Sequence, residues 1–118
     1  MILLGLGSNL ESVFGDRFKN IDLAISALIG YGIQIKKRSS YYESPSYPDN
    51  TNPKFINIVI DIETHLSPVD LASVLLFIEE SLGRKRKKKN DPRTCDIDII
   101  DYNNQIINFK YNDLDFIA

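Results

Sequence analysis

Apolar residues in this chain follow two different periods. From Phe55 to Glu63 they alternate: Ile56, Ile58, Ile60 and Ile62 share one face, and Asn57, Val59, Asp61 and Glu63 share the other. A period of two predicts a strand with one buried face. From Asp16 to about Ile29, the residues Phe18, Ile21, Ile25, Leu28 and Ile29 recur at helical spacing, and Gly30 and Gly32 stop the helix. A second helix opens at Ser67-Pro68-Val69-Asp70, with Ser as N-cap, Pro in the first helical position and an acid in the first turn. Its buried stripe is Leu71, Leu75, Ile78 and Leu82, and Gly83 closes it. Residues 2–7 are a short apolar run ending at Gly7-Ser8-Asn9, which predicts a buried strand and a turn. Ile33, Ile35 and Lys37 alternate with Gln34, Lys36 and Arg38, giving a strand with one solvated face that runs to about Tyr42. Residues 43–54, rich in Pro, Ser, Asn and Asp, predict a loop. A strand at 94–101 follows, then a turn at Tyr102-Asn103-Asn104-Gln105 into a short strand near 105–108.

The predicted order is strand, helix, strand, strand, helix, strand. That is the split βαβ, or ferredoxin-like, α+β arrangement, with an antiparallel sheet and both helices on one face. The helices cover the four isoleucines of 55–63, and the opposite face is left to hold Asn57, Asp96 and Asp98 in a cleft. A one-residue slip in register would drive these polar side chains into the core, where they would have no partner.

At 118 residues, the chain fits one domain, 1–118, with one core. A net charge of −2 gives no overall bias toward nucleic acid or membrane; the positive charge is local, at residues 84–89. One cysteine excludes an internal disulfide framework and a cysteine-based zinc site, and one histidine excludes a His-rich metal centre. No apolar run reaches membrane-spanning length, and Met1-Ile2-Leu3-Leu4 lacks the basic start of a signal peptide. The expected compartment is the cytoplasm.

The chemistry centres on Pro92-Arg93-Thr94-Cys95-Asp96-Ile97-Asp98-Ile99-Ile100. On a strand, Asp96 and Asp98 point the same way with Cα atoms about 6–7 Å apart. Carboxylates that close repel unless a cation or hydrogen bonds satisfy them. Magnesium suits such a pair when a phosphate substrate supplies further oxygens. A bare Asp-x-Asp is equally consistent with a solvated sheet face. Arg84-Lys85-Arg86-Lys87-Lys88-Lys89 just upstream tips the reading toward phosphoryl transfer. Arg84, Arg86 and Arg93 read as phosphate binders, since guanidinium stays charged and grips oxygens in pairs. The three lysines read as a solvated run with general attraction for a nucleotide. Ser44-Pro45-Ser46-Tyr47 and Phe55-Ile56-Asn57 read together as a pocket for a flat heterocycle, with rings to stack and an amide to pair with an amide-like ring edge. Taken by themselves, Tyr47 and Phe55 are better explained by ordinary packing. Cys95 reads as a small core residue and His65 as an exposed loop residue. Gly5-Leu6-Gly7-Ser8-Asn9 lacks both the third glycine of a dinucleotide fingerprint and the Gly-Lys-Ser/Thr of a P-loop.

Five segments in order resemble the 6-hydroxymethyl-7,8-dihydropterin pyrophosphokinase family of folate biosynthesis. They are Gly5-Leu6-Gly7-Ser8-Asn9-Leu10, Ser39-Ser40-Tyr41-Tyr42-Glu43-Ser44-Pro45, Phe55-Ile56-Asn57, Glu79 with Gly83-Arg84-Lys85-Arg86, and Pro92-Arg93-Thr94 through Asp98. The resemblance implies a ferredoxin-like fold and transfer of pyrophosphate from ATP to the hydroxymethyl oxygen of the pterin, releasing AMP. It implies that Asp96 and Asp98 hold two magnesium ions. Arg84, Arg86 and Arg93 would contact phosphate, Glu79 and Ile99 would contact ATP, and Arg84, Arg93, Asp96 and Asp98 would carry catalysis. Ser44, Pro45, Tyr47, Phe55, Asn57 and, less directly, Asn9 would line the pterin site. The loops at 43–54 and 84–92 would serve as lids. The chain departs from the family pattern at Lys89-Asn90-Asp91, where an aromatic followed by Gly is frequent. The family's C-terminal segment lies beyond Ala118 on this reading; it brings a nucleotide-contacting His, a phosphate-engaging Arg and a pterin-stacking Phe. The expectation is therefore weak or absent turnover, and a monomer whose open sheet edge could support a dimer.

Two alternatives stand beside this. One is an inactive remnant that still binds pterin or ATP. The other is a non-catalytic ferredoxin-like module that binds single-stranded RNA. It is disfavoured because Asp96 and Asp98 repel phosphate without metal and the sheet face lacks clustered aromatics.

Overall fold

The computed structural model describes residues 1–45, 53–84, 93–106, 108–111 and 114–117. Its elements are β1 (Ile2–Ser8), α1 (Arg17–Gly30), β2 (Gln34–Arg38), β3 (Tyr42–Ser44), β4 (Phe55–Glu63), α2 (Pro68–Ser81), β5 (Asp96–Tyr102), β6 (Asn108–Tyr111) and β7 (Leu114–Ile117). The main sheet runs β2-β4-β1-β5, with β3 also paired to β4. Every pairing in it is antiparallel. Strand β4 therefore separates β1 from β2, and β1 separates β4 from β5, so each strand–helix–strand unit is split as expected. β6 and β7 form a separate antiparallel pair.

The core lies between one sheet face and both helices. Leu4 and Leu6 of β1, the four isoleucines of β4, and Ile97 and Ile99 of β5 meet Ile21, Ala24 and Leu28 of α1 and Leu71, Leu75 and Ile78 of α2. The period of two thus selects the buried face of β4, as its alternating burial shows. Asp16 caps α1 by accepting from the Lys19 amide at 2.9 Å, and Ser67 caps α2 by accepting from the Asp70 amide at 3.2 Å. Among the described residues, no helix is long and apolar enough to cross a membrane.

Four details differ from the sequence expectation. Phe18 and Ile29 are 42% and 57% exposed; they lie off the buried face of α1, and Phe18 stacks edge-on against Tyr41 at 5.2 Å between ring centres. The second strand stops at Arg38, and its continuation is the separate strand β3 (Tyr42–Ser44), so Glu43 and Ser44 are sheet and not loop. The break comes at Ser39, whose amide donates to the Val59 carbonyl and whose hydroxyl accepts from the Val59 amide. A register shift between Ile35 and Lys37 pairs Ile35 with Ile62 but Lys37 with Asp61. The bulge therefore turns Lys37 to the polar face, against the simple alternation from Ile35.

Candidate functional site

Four strands, β1, β3, β4 and β5, build a cleft of about 460 Å³ on the sheet face away from the helices; its lining includes Ser44, Pro45, Phe55, Asn57, Arg93, Asp96 and Asp98. The register explains the grouping. Gly7 of β1 lies opposite Asn57 of β4 on one side and Asp96 of β5 on the other. Gly5 lies opposite Asp98. Directly opposed residues of an antiparallel pair share a face, so the two glycines form a bare floor between an amide and a pair of carboxylates.

The floor has to be bare at Gly7. A Cβ built there would lie 3.0 Å from Asn57 Oδ1 and 3.3 Å from the Phe55 ring. Asn57 is held from the other side: its Nδ2 donates to Ser44 Oγ at 2.8 Å and to the Tyr42 carbonyl at 3.3 Å. The interrupted alternation of β4 thus places an oriented carboxamide in the cleft. Phe55 presents its ring beneath the Arg93 guanidinium, 5.6 Å from the ring centre.

On the carboxylate side, Asp96 receives two arginines. Arg84 Nη1 donates to Oδ1 at 2.5 Å, and Arg93 Nη1 to Oδ2 at 3.0 Å. Arg84 also pairs with Glu79 Oε1 at 3.1 Å, and the two side chains are 10% and 2% exposed. The helix end aims this arginine. Gly83 adopts φ +89°, and the amides of Gly83 and Arg84 return to the carbonyls of Glu80 and Glu79. This left-handed closure turns the chain back over the last helical turn.

Glu79 and Asn9 are both buried. Glu79 is 2% exposed, and its Oε2 accepts from the Ile97 amide at 2.7 Å. It supports β5 and Arg84 from within. Asn9 is 1% exposed and is absent from the cleft lining. Its carboxamide bonds backbone groups of Pro53 and Arg93. Ile99 is buried as well. It is 7% exposed on the core face, so the strand alternation that exposes Asp98 turns the Ile99 side chain away from the cleft. Ile100 lines the cleft in its place, as the alternation from Asp98 requires, and Tyr42 joins it; the shift in the β1–β5 register at Leu3/Leu4 breaks the alternation only beyond Ile100. Tyr47 and Arg86 lie outside the described residues, as do Lys87, Lys88 and Lys89.

Cys95 is fully buried, and burial with the nearby Glu79 and Asp96 charges pushes its thiol far above the ordinary value, as a core residue requires. His65 is exposed, as expected.

The model of the 7,8-dihydro-6-hydroxymethylpterin-pyrophosphokinase family matches residues 3–117. The chain belongs to this family. As a member of the pyrophosphokinase family, it is similar to proteins named 2-amino-4-hydroxy-6-hydroxymethyldihydropteridine pyrophosphokinase. The one from Methylorubrum extorquens is 38% identical over 100 residues, covering 84% of this chain and 61% of the relative. The one from Aquifex aeolicus is 37% identical over 109 residues, covering 92% and 65%. The one from Bacillus subtilis is 33% identical over 105 residues, covering 88% and 60%. The chain thus spans about three-fifths to two-thirds of the length of these relatives.

Proposed function

We propose that this chain binds ATP and 6-hydroxymethyl-7,8-dihydropterin side by side and supports pyrophosphate transfer from the first to the second. The observation that carries this reading is the arrangement across the Gly7 row. An oriented amide and an aromatic ring stand on one side of the glycine floor, and Arg93 with two carboxylates on the other, where Arg84 also bonds Asp96. One cleft thereby offers a seat for a flat polar heterocycle beside a seat for a polyphosphate.

The carboxylates suit magnesium. Asp96 and Asp98 line the same cleft, and no group of three or more acidic, cysteine or histidine side chains exists among the described residues to cage an ion without substrate. Magnesium takes one or two carboxylates and fills its remaining octahedral positions with water and phosphate. Asp96 and Asp98 would hold it, two ions being the expected number. When bound, it would neutralise charge on the phosphate oxygens. The chain's own contribution is positional. Arg84 and Arg93 would grip phosphate oxygens and keep their charge through the reaction. Phe55 and Asn57, with Ser44 and Pro45, would hold the ring so that its hydroxymethyl oxygen faces the β-phosphorus. That oxygen forms the new P–O bond as the bond to the α-phosphate oxygen breaks and AMP leaves. No enzyme-bound intermediate is required, and the rate gain would come from orientation and electrostatics.

The test is calorimetric titration of a non-hydrolysable ATP analogue, with magnesium and with EDTA, with and without 6-hydroxymethylpterin. Magnesium-dependent binding that Asp96→Ala abolishes is the expected result. Binding that ignores magnesium, or survives Asp96→Ala unchanged, would refute the assignment. Single-stranded RNA that binds equally well to Asp96→Ala would support the RNA-binding alternative instead.

A further inference from the structure

We propose that Asn9 is a positioning residue that fastens the heterocycle side of the cleft to its arginine–carboxylate side; this rests on the two-substrate reading above. Asn9 stands where the chain leaves the floor strand β1, and it is 1% exposed. A carboxamide offers both an acceptor and a donor, and here the two serve different segments. Oδ1 accepts from the Arg93 amide at 2.8 Å, while Nδ2 donates to the Pro53 carbonyl at 3.2 Å. The Asn9 backbone amide adds a bond to the Arg93 carbonyl at 3.1 Å.

These links close a ring through the cleft. Pro53 precedes Phe55 by two residues, and the Phe55 ring lies 5.6 Å beneath the Arg93 guanidinium. Arg93 in turn holds Asp96 at 3.0 Å. Asn9 therefore fixes both ends of the Phe55–Arg93 contact, which joins the ring seat to the phosphate seat. The joined segments lie 44 and 84 residues from Asn9 along the chain, so no local turn could do the same work. Asp in this place would keep the acceptor for Arg93 and lose the donor to Pro53. Ala would lose both.

The two variants separate positioning from ligand contact and from plain stability. In the free protein, amide hydrogen exchange by NMR should show the Arg93 amide protected in the wild type and in Asn9→Asp. In Asn9→Ala it should exchange about tenfold faster or more. In calorimetry, Asn9→Asp should weaken 6-hydroxymethylpterin about tenfold and alter binding of the magnesium–ATP analogue less than about twofold. Asn9→Ala should weaken both. If Asn9→Asp lowers thermal stability and both affinities in parallel, the role is only structural and the proposal fails. Arg93 exchange that is equal in the wild type and Asn9→Ala overturns it too. A wild-type protein that binds neither ligand overturns the two-substrate reading and, with it, the positioning role. Hydrogen exchange still reports whether the link exists, so the two failures are told apart.

Discussion

Replacing Glu79 by Gln changes almost no volume but removes one charge and one acceptor from a side chain that is 2% exposed. In the wild type, Oε2 accepts from the Ile97 amide at 2.7 Å and Oε1 pairs with Arg84 at 3.1 Å. Both partners are donors. Glutamine offers one oxygen and one NH2 group, so whichever way it turns, a donor faces a donor. A buried donor left unpaired costs about 1–3 kcal/mol. Stranding a buried ion costs about 3–5 kcal/mol. That larger figure is an upper bound here, because Arg84 keeps Asp96 at 2.5 Å. The expected loss is therefore about 2–3 kcal/mol, a large share of the ~5–15 kcal/mol that stabilises an ordinary domain. With a urea slope of about 1–3 kcal/mol per molar, the midpoint should fall by about 1 M. Equilibrium urea unfolding followed by circular dichroism measures this. A midpoint within about 0.2 M of wild type would refute the reasoning. A double-mutant cycle with Arg84→Met should then return a coupling of about 1–2 kcal/mol, since the two residues share one contact network.

Gly7→Ala places a methyl group 3.0 Å from Asn57 Oδ1 and 3.3 Å from the Phe55 ring. Pterin affinity by calorimetry should fall about tenfold or more, while the nucleotide analogue is little affected, because the crowding falls on the heterocycle side. Ser67→Ala removes the acceptor for the Asp70 amide and should lower stability by about 1 kcal/mol in urea unfolding, with Ser67→Gly losing only a few tenths. Cys95 has a defined pH signature. Burial first, then Glu79 and Asp96, raise its folded-state value far above the ordinary 9.0. Above that pH the unfolded chain releases a proton that the folded chain retains, so stability falls as pH rises. The stability of Cys95→Ala relative to wild type should therefore improve by about 2–3 kcal/mol between roughly pH 9 and 11. A difference that stays constant across that window would contradict the burial argument.

The local elements were readable because each is set by interactions within a few residues. The alternation of β4 and the capped, striped helix α2 met the structure almost residue for residue, since water sorts the faces of a strand or helix by period alone. The same rule put Asp96 and Asp98 on one face, and the antiparallel order placed Asn57 near them. Phe18, Ile29 and Lys37 departed from the pattern, because a helix stripe can be wider than the partner that covers it and a bulge reverses faces without a sequence marker. What the sequence left open within the site, the surroundings of Glu79, Asn9 and Ile99, depended on where distant segments meet. Sequence could supply a carboxylate on a helix and an amide after a strand. Only the packed structure determined that Glu79 would be buried against Ile97 and Arg84, and that Asn9 would join Pro53 to Arg93. Period and capping are properties of neighbours in the chain. The partner of a buried polar group is chosen by long-range contacts, where an unpaired donor or acceptor would cost too much to leave.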